Sequence, residues 1–330
     1  MRSRATLILL ILFSACFSQS TDRFAFTGEM GTLTRVGIFE DGGTRFISPP
    51  DVVAHDPIIR PNTNEVFYLV SASSQGRMVY STNAANGETQ KWGDGQALIG
   101  GLAFSPDGQF LYFVSNEKGS PDVYRRNLTD GSVDVIANSE WPEFDPTLTK
   151  DGKELVYVEW TDEGYILHSW NTVNKSHRIV LRDETLISNV RWSTNDYSLI
   201  YVRNSEKYWE IKEYFPLRDS TYQIRWGIPS ITTPCFTPSG RQLYYSMEVN
   251  GQWDIYAYKK SSDKHNWMIN GKEDELKPIF HPSGDWYWYN ESTKKGWRVM
   301  KKVVRGKSAR ALIDSKEFSA YDAVWFPIPE

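Results

Sequence analysis

Cysteine is almost absent from this chain: its 330 residues include two, Cys16 and Cys235. Cys16 lies in a leader-like amino-terminal segment, so the body holds a single thiol and no intrachain disulfide can staple it. Cys235, in the apolar run TTPCF, reads as a small buried hydrophobe. Histidine is also scarce. His55, His168, His177, His265 and His281 form neither an H-E-x-x-H motif nor a pair spaced by four, so no metal site is expected. No G-x-S-x-G elbow occurs, which argues against a serine hydrolase. The glycines of DGGT (41–44) and IGG (99–101) fit hairpin turns better than phosphate cradles, and no cofactor motif is present. A net charge of −4 with interspersed signs gives no basic field, so nucleic acid is not an expected partner. Long helical periodicity is missing too, which makes a parallel βαβ fold a poor candidate.

Aromatic residues, by contrast, are plentiful: 16 Phe, 13 Trp and 18 Tyr can fill a large core. The amino terminus has a basic start, MRSR, followed by the short apolar run ATLILLILF (5–13). This is the pattern of a secretory signal and is too short to span a bilayer as a stable helix. Small residues before Cys16 resemble a bacterial lipobox, in which the cysteine is lipidated and becomes the mature terminus. Two processing routes therefore stand, lipidation at Cys16 or ordinary cleavage near residue 20.

The body repeats. In SPDG, Ser105–Gly108, proline sets φ for a tight turn and glycine accepts positive φ. From Asp107, steps of 44 reach Asp151, Asn195, Ser239 and Ser283, and a step of 45 back reaches Asn62. A large apolar residue stands three places before each marker: Ile59, Phe104, Leu148, Trp192, Phe236 and Phe280. An aromatic stands six after it: Tyr68, Phe113, Tyr157, Tyr201, Tyr245 and Tyr289. Proline recurs five before it at Pro57, Pro146, Pro234 and Pro278.

Each unit parses into four strands, for instance 100–105, 109–115, 121–127 and 132–137, and a four-stranded unit of this length is a propeller blade. The segment 320–326, AYDAVWF, reads as an inner strand without followers, while 23–29, 32–39 and 44–48 read as outer strands without a leader. The expected fold is therefore all-β: a seven-bladed propeller over residues 22–330, closed by a composite blade whose inner strand comes from the carboxyl terminus.

On FSPDG (104–108) with Asp122-Val123-Tyr124, and again on FTPSG (236–240) with Trp253-Asp254-Ile255-Tyr256, the chain resembles the PD40, or WD40-like, repeats of bacterial TolB-like propellers. The fourth unit departs furthest, with Asn195-Asp196-Tyr197 at the turn. The resemblance implies an exported binding or scaffold protein of a Gram-negative envelope, periplasmic or anchored in the outer membrane through Cys16. A protein or peptide partner follows from the same resemblance.

Candidate binding residues lie where propellers usually bind, at the mouth of the central channel. The position six before each marker gives Asp56, Gly101, Asp145, Asn189, Thr233, Lys277 and Tyr321, with Arg191 and Asp322 close by. Trp141, between Glu140 and Glu143, is a further candidate for a peptide or glycan. The alternative to a non-catalytic binding module is a sugar or small-ligand receptor, or a glycan lyase in which Asp145, Arg191 and Lys277 supply a base and charge stabilisation.

Overall fold

A computed structural model describes residues 22–326 apart from 72–75, 94–96 and 98. The leader and Cys16 lie outside the described residues. Those described form seven four-stranded antiparallel sheets. Blade 1 comprises Val53–Ile59, Glu65–Ser71, Arg77–Asn83 and Thr89–Trp92, and blade 2 comprises Ile99–Phe104, Phe110–Ser115, Asp122–Asn127 and Val133–Ala137. Blades 3 to 6 begin with the inner strands Glu143–Leu148, Leu186–Trp192, Ile231–Phe236 and Glu275–Phe280. Blade 7 is composite: Ser319–Trp325 is its inner strand, and Phe24–Met30, Leu33–Glu40 and Gly43–Phe46 complete it.

The strands are apolar on both faces because each blade feeds two seams. Leu111 and Phe113 point into the seam with blade 1, and Tyr112 into the seam with blade 3. Tyr244 and Tyr245 divide in the same way between the seams with blades 6 and 4. The two-residue period of a strand thus becomes a division between neighbours. Seven hydrophobic clusters result, one at each seam.

The marker turns of blades 2 to 5 share one hydrogen bond. A side chain two residues before the marker accepts a backbone N–H across the turn: Ser105 from Phe110, Thr149 from Glu154, Ser193 from Ser198, Thr237 from Gln242. His281 stands at the same place, and its Nδ1 accepts the Ser283 N–H at 3.2 Å. In the divergent fourth unit, Asp196 takes the left-handed conformation (φ 57°) that glycine takes elsewhere. Its carboxylate accepts the Lys150 N–H of the preceding blade at 3.0 Å, a link glycine could not make.

Blade 7 closes the ring as the strand pattern requires. Phe24 pairs with Trp325 and Glu29 with Ser319. The Trp325 ring stacks on Trp288 of blade 6 with centroids 3.3 Å apart, and Phe24 lies 4.4 Å from Trp288. Asp22 is held by Lys301 at 2.6 Å and Arg310 at 3.3 Å, which fixes the start of this blade against blade 6.

Candidate functional site at the channel mouth

Every inner strand carries a β-bulge at the same register. The ladder slips between His55 and Ile58, Gly100 and Ala103, Phe144 and Thr147, Ser188 and Arg191, Thr232 and Cys235, and Leu276 and Ile279. In each case two residues face one, and that one is the recurring aromatic six after the marker. The first bulge residue is left-handed, with φ between 51° and 57°: Asp56, Gly101, Asp145, Asn189, Thr233, Lys277 and Asp322. The second is Pro57, Pro146, Pro234 or Pro278 in four blades, since a bulge leaves a position where the ladder needs no N–H donor.

The bulges define the ring. In blade 7 the ring residue is Asp322, because the interval from Lys277 is one residue longer than the 44 that pointed to Tyr321. Tyr321 is its neighbour; burial, with the charges of Glu29, Asp322 and Asp56, pushes its phenol up to about 12. A left-handed threonine or lysine is costly, whereas asparagine tolerates this region. The Thr233 hydroxyl is also buried without a hydrogen bond. Thr233→Asn is expected to raise stability by about 1 kcal/mol, seen as a higher urea midpoint at unchanged slope.

The ring's charges fall into two groups. Asp145 Oδ2 accepts the Val190 N–H of the next inner strand at 2.9 Å, and Arg191 Nη1 stands 3.3 Å from Oδ1. On the other side Lys277 Nζ donates to the Asp322 carboxylate. Asp56 belongs with this second group: the hydrogen bond with His55, aided by the charges of Lys277 and Arg77, holds its carboxyl below the usual range. Asp145, Arg191 and Lys277 are therefore not one cluster but members of two ion pairs on different blades.

Trp141 is half-buried in the loop before blade 3, held by reciprocal hydrogen bonds with Ser139. Glu143 does not flank it in solvent. It turns into the seam between blades 2 and 3 and is 2% exposed, because it stands two residues before Asp145, a position occupied by the buried apolar residues Ala54, Ile99, Ile187, Ile231 and Ala320 in five other blades. Glu275 of blade 6 repeats the substitution. Each of these glutamates meets an aspartate from the preceding blade, Asp122 or Asp254, and each keeps one buried oxygen without a partner. Burial pushes the carboxyls up to about 7 for Glu143 and about 8 for Glu275. The break in an apolar register was the signal for both.

The histidines have structural partners. His177 and His265 occupy equivalent outer-strand sites and bond the hydroxyls of Tyr157 and Tyr245 at 3.3 and 2.8 Å. His168 pairs with Glu159 at 2.8 Å. Among the described residues no three His, Cys, Asp or Glu side chains converge as a metal site would require. Cys235 donates its thiol to the Pro278 carbonyl at 2.8 Å, and burial pushes it up to about 12.

Arg77 has no counterpart in the sequence-based candidates. It opens the third strand of blade 1 and lines a cavity of about 360 Å³ beside Gly101, together with Ile99, Val114, Phe144 and Asp145.

A closed ring of seven such blades, with charged bulges around its channel, is the architecture of a β-propeller of the PD40 kind. The family model for the TolB β-propeller domain matches residues 11–213, and the chain belongs to that family. A stretch of 82 residues is 27% identical to an uncharacterized protein of Agrobacterium fabrum; it covers 25% of this chain and 28% of the relative, so the match spans little more than a quarter of that protein's length. TolB from Acinetobacter baumannii superposes with a TM-score of 0.60 at 11% identity, over 90% of this chain and 81% of that one. An oligogalacturonate lyase in complex with manganese gives 0.66 at 12%, over 88% and 84%. A puromycin-hydrolyzing peptidase of Mycobacterium tuberculosis gives 0.69 at 11%, over 88% of this chain and 53% of that one. At these identities the likeness is one of fold.

Proposed function

We propose that this protein is a non-catalytic binding module of the bacterial envelope that engages a protein or peptide at its channel mouth. Export by the amino-terminal signal, with Cys16 as a lipid anchor on a Gram-negative membrane, completes the reading. The observation that carries it is the ring of left-handed bulges. Six non-glycine residues hold the left-handed conformation, Thr233 and Lys277 at a cost in free energy, and strain kept at one register around a channel is characteristic of a binding surface. The two ion pairs support it further. Asp145 and Lys277 are each occupied by a neighbouring blade, which suits a fixed charged rim better than a free base for lyase chemistry.

Crosslinking in intact envelopes and affinity capture test this directly, with wild type beside a variant carrying Asp56→Ala, Asp145→Ala and Lys277→Ala. The expected result is one envelope protein captured by wild type and reduced at least tenfold in the variant, with thermal unfolding confirming the fold. Equal capture by both would move the interface off the channel mouth. Enrichment of no protein by wild type would overturn the binding reading.

A further inference from the structure

We propose that the cavity beside Gly101 receives the C-terminal residue of a peptide, its carboxylate on Arg77 and its apolar side chain against Ile99, Val114 and Phe144. The inference rests on the binding-module reading and specifies its ligand.

Gly101 is the only ring residue without a side chain, and the cavity opens there. A Cβ at this position would meet Pro146 Cδ and Val114 Cγ2, both at 3.1 Å, so the absence of a side chain at Gly101 is what lets these wall atoms close up beside the cavity. The walls are mostly apolar, from the inner strands of blades 2 and 3 and from Val114 behind them. Polar groups are few: Arg77 at one side, with Asp145, Ser188 and Asn189 at the other.

Charge determines what these walls would take. Arg191 and Lys277, the other cations of the mouth, are paired with Asp145 and Asp322. Among the described residues, Arg77 has no carboxylate within ion-pairing distance, although its field reaches Asp56. Asp145, the one acid in the cavity, is already held by the Val190 N–H and Arg191. Among the described residues, the cavity therefore presents one guanidinium without an ion-pair partner beside a hydrophobic wall. A guanidinium binds a carboxylate through two parallel N–H donors. An apolar group bearing a carboxylate is complementary to both features, and a chain terminus provides it while the rest of the peptide leaves along the charged rim.

The test uses three probes: a hexapeptide ending in leucine as the free acid, the same peptide as its C-terminal amide, and N-acetyl-leucine. Calorimetric titration of the mature protein should show the acid binding at least tenfold tighter than the amide, with N-acetyl-leucine weaker than the peptide acid. Arg77→Gln should abolish the preference, and Arg77→Lys, which keeps the charge without the fork, should retain part of it. Equal affinity for acid and amide, or a preference that survives Arg77→Gln, overturns the assignment. N-acetyl-leucine binding as tightly as the peptide would reassign the cavity to a free carboxylic acid. Loss of the acid preference with the envelope partner still captured at the rim would leave the binding module standing and remove only this subsite.

Discussion

Between pH 6.5 and 8.5 the protein is expected to lose about 2–3 kcal/mol of stability relative to its Glu143→Gln, Glu275→Gln double variant. Both carboxyls are raised in the fold, to about 7 and about 8, so the folded chain binds more protons than the unfolded chain above the ordinary glutamate value. Their contribution is complete below that value and disappears as pH rises through 7 and 8. Desolvation is the leading cause, reinforced for Glu143 by Asp122 and Glu159 and for Glu275 by Asp254, Glu291 and Asp274. Asp254 is raised as well, again by burial. His177, His265 and His281 work in the opposite direction, since burial keeps them neutral and stabilises the fold as pH rises toward 6.5. Unfolded histidine is still half protonated at pH 6.5, so these histidines offset part of the glutamate loss, and the difference between wild type and the double variant isolates the glutamates. Urea midpoints at the two pH values provide the measurement. Wild type and double variant changing in parallel would show that other groups carry the protons.

Trp288→Ala is expected to cost about 3–5 kcal/mol and to open the ring at one particular seam. Trp288 is 1% exposed and touches both halves of the composite blade, Trp325 from the carboxyl end and Phe24 from the amino end. Its removal leaves a cavity where the two ends of the chain meet. Tyr244, fully buried in the seam between blades 5 and 6, is the appropriate comparison. Tyr244→Ala should lower stability by a similar order, yet only Trp288→Ala should speed hydrogen exchange selectively in residues 24–30 and 319–325. Equal exchange in both variants would mean that the closing seam is no weaker than the others.

Much of this architecture was legible in the sequence, and the reasons are physical. Strand runs and turn residues recur with a period that tolerates almost no drift, so the blades and the composite closure could be read from Asp107 outward. The site was legible only in register. Spacing located the ring to within one residue, pointing to Tyr321 with Asp322 only beside it, because one interval is longer. It could not announce a left-handed Thr233 or Lys277, since propensity argues against both. Proline held the clue: Pro57, Pro146, Pro234 and Pro278 cannot stand inside a paired inner strand unless the ladder slips there. Glu143 was misread from its neighbours in sequence, when its place two residues before Asp145 put it in the row of Ile99 and Ile187. Arg77 escaped because it belongs to a third strand, and only folding brings it to the mouth.

The pairing of Phe24 with Trp325 has a consequence in time. At synthesis rates of about 5–20 residues per second, the first strands wait roughly 15–60 s for the strand that completes their sheet. During that interval Phe24, Phe26 and Phe39, all buried in the finished protein, have no permanent neighbour. Six seams can assemble before that strand is in place, but the seventh, between blades 6 and 7, cannot form until it arrives. A chain that lacks its last inner strand is thus an open arc with an exposed aromatic edge, the stage at which a holding chaperone would have most to shield.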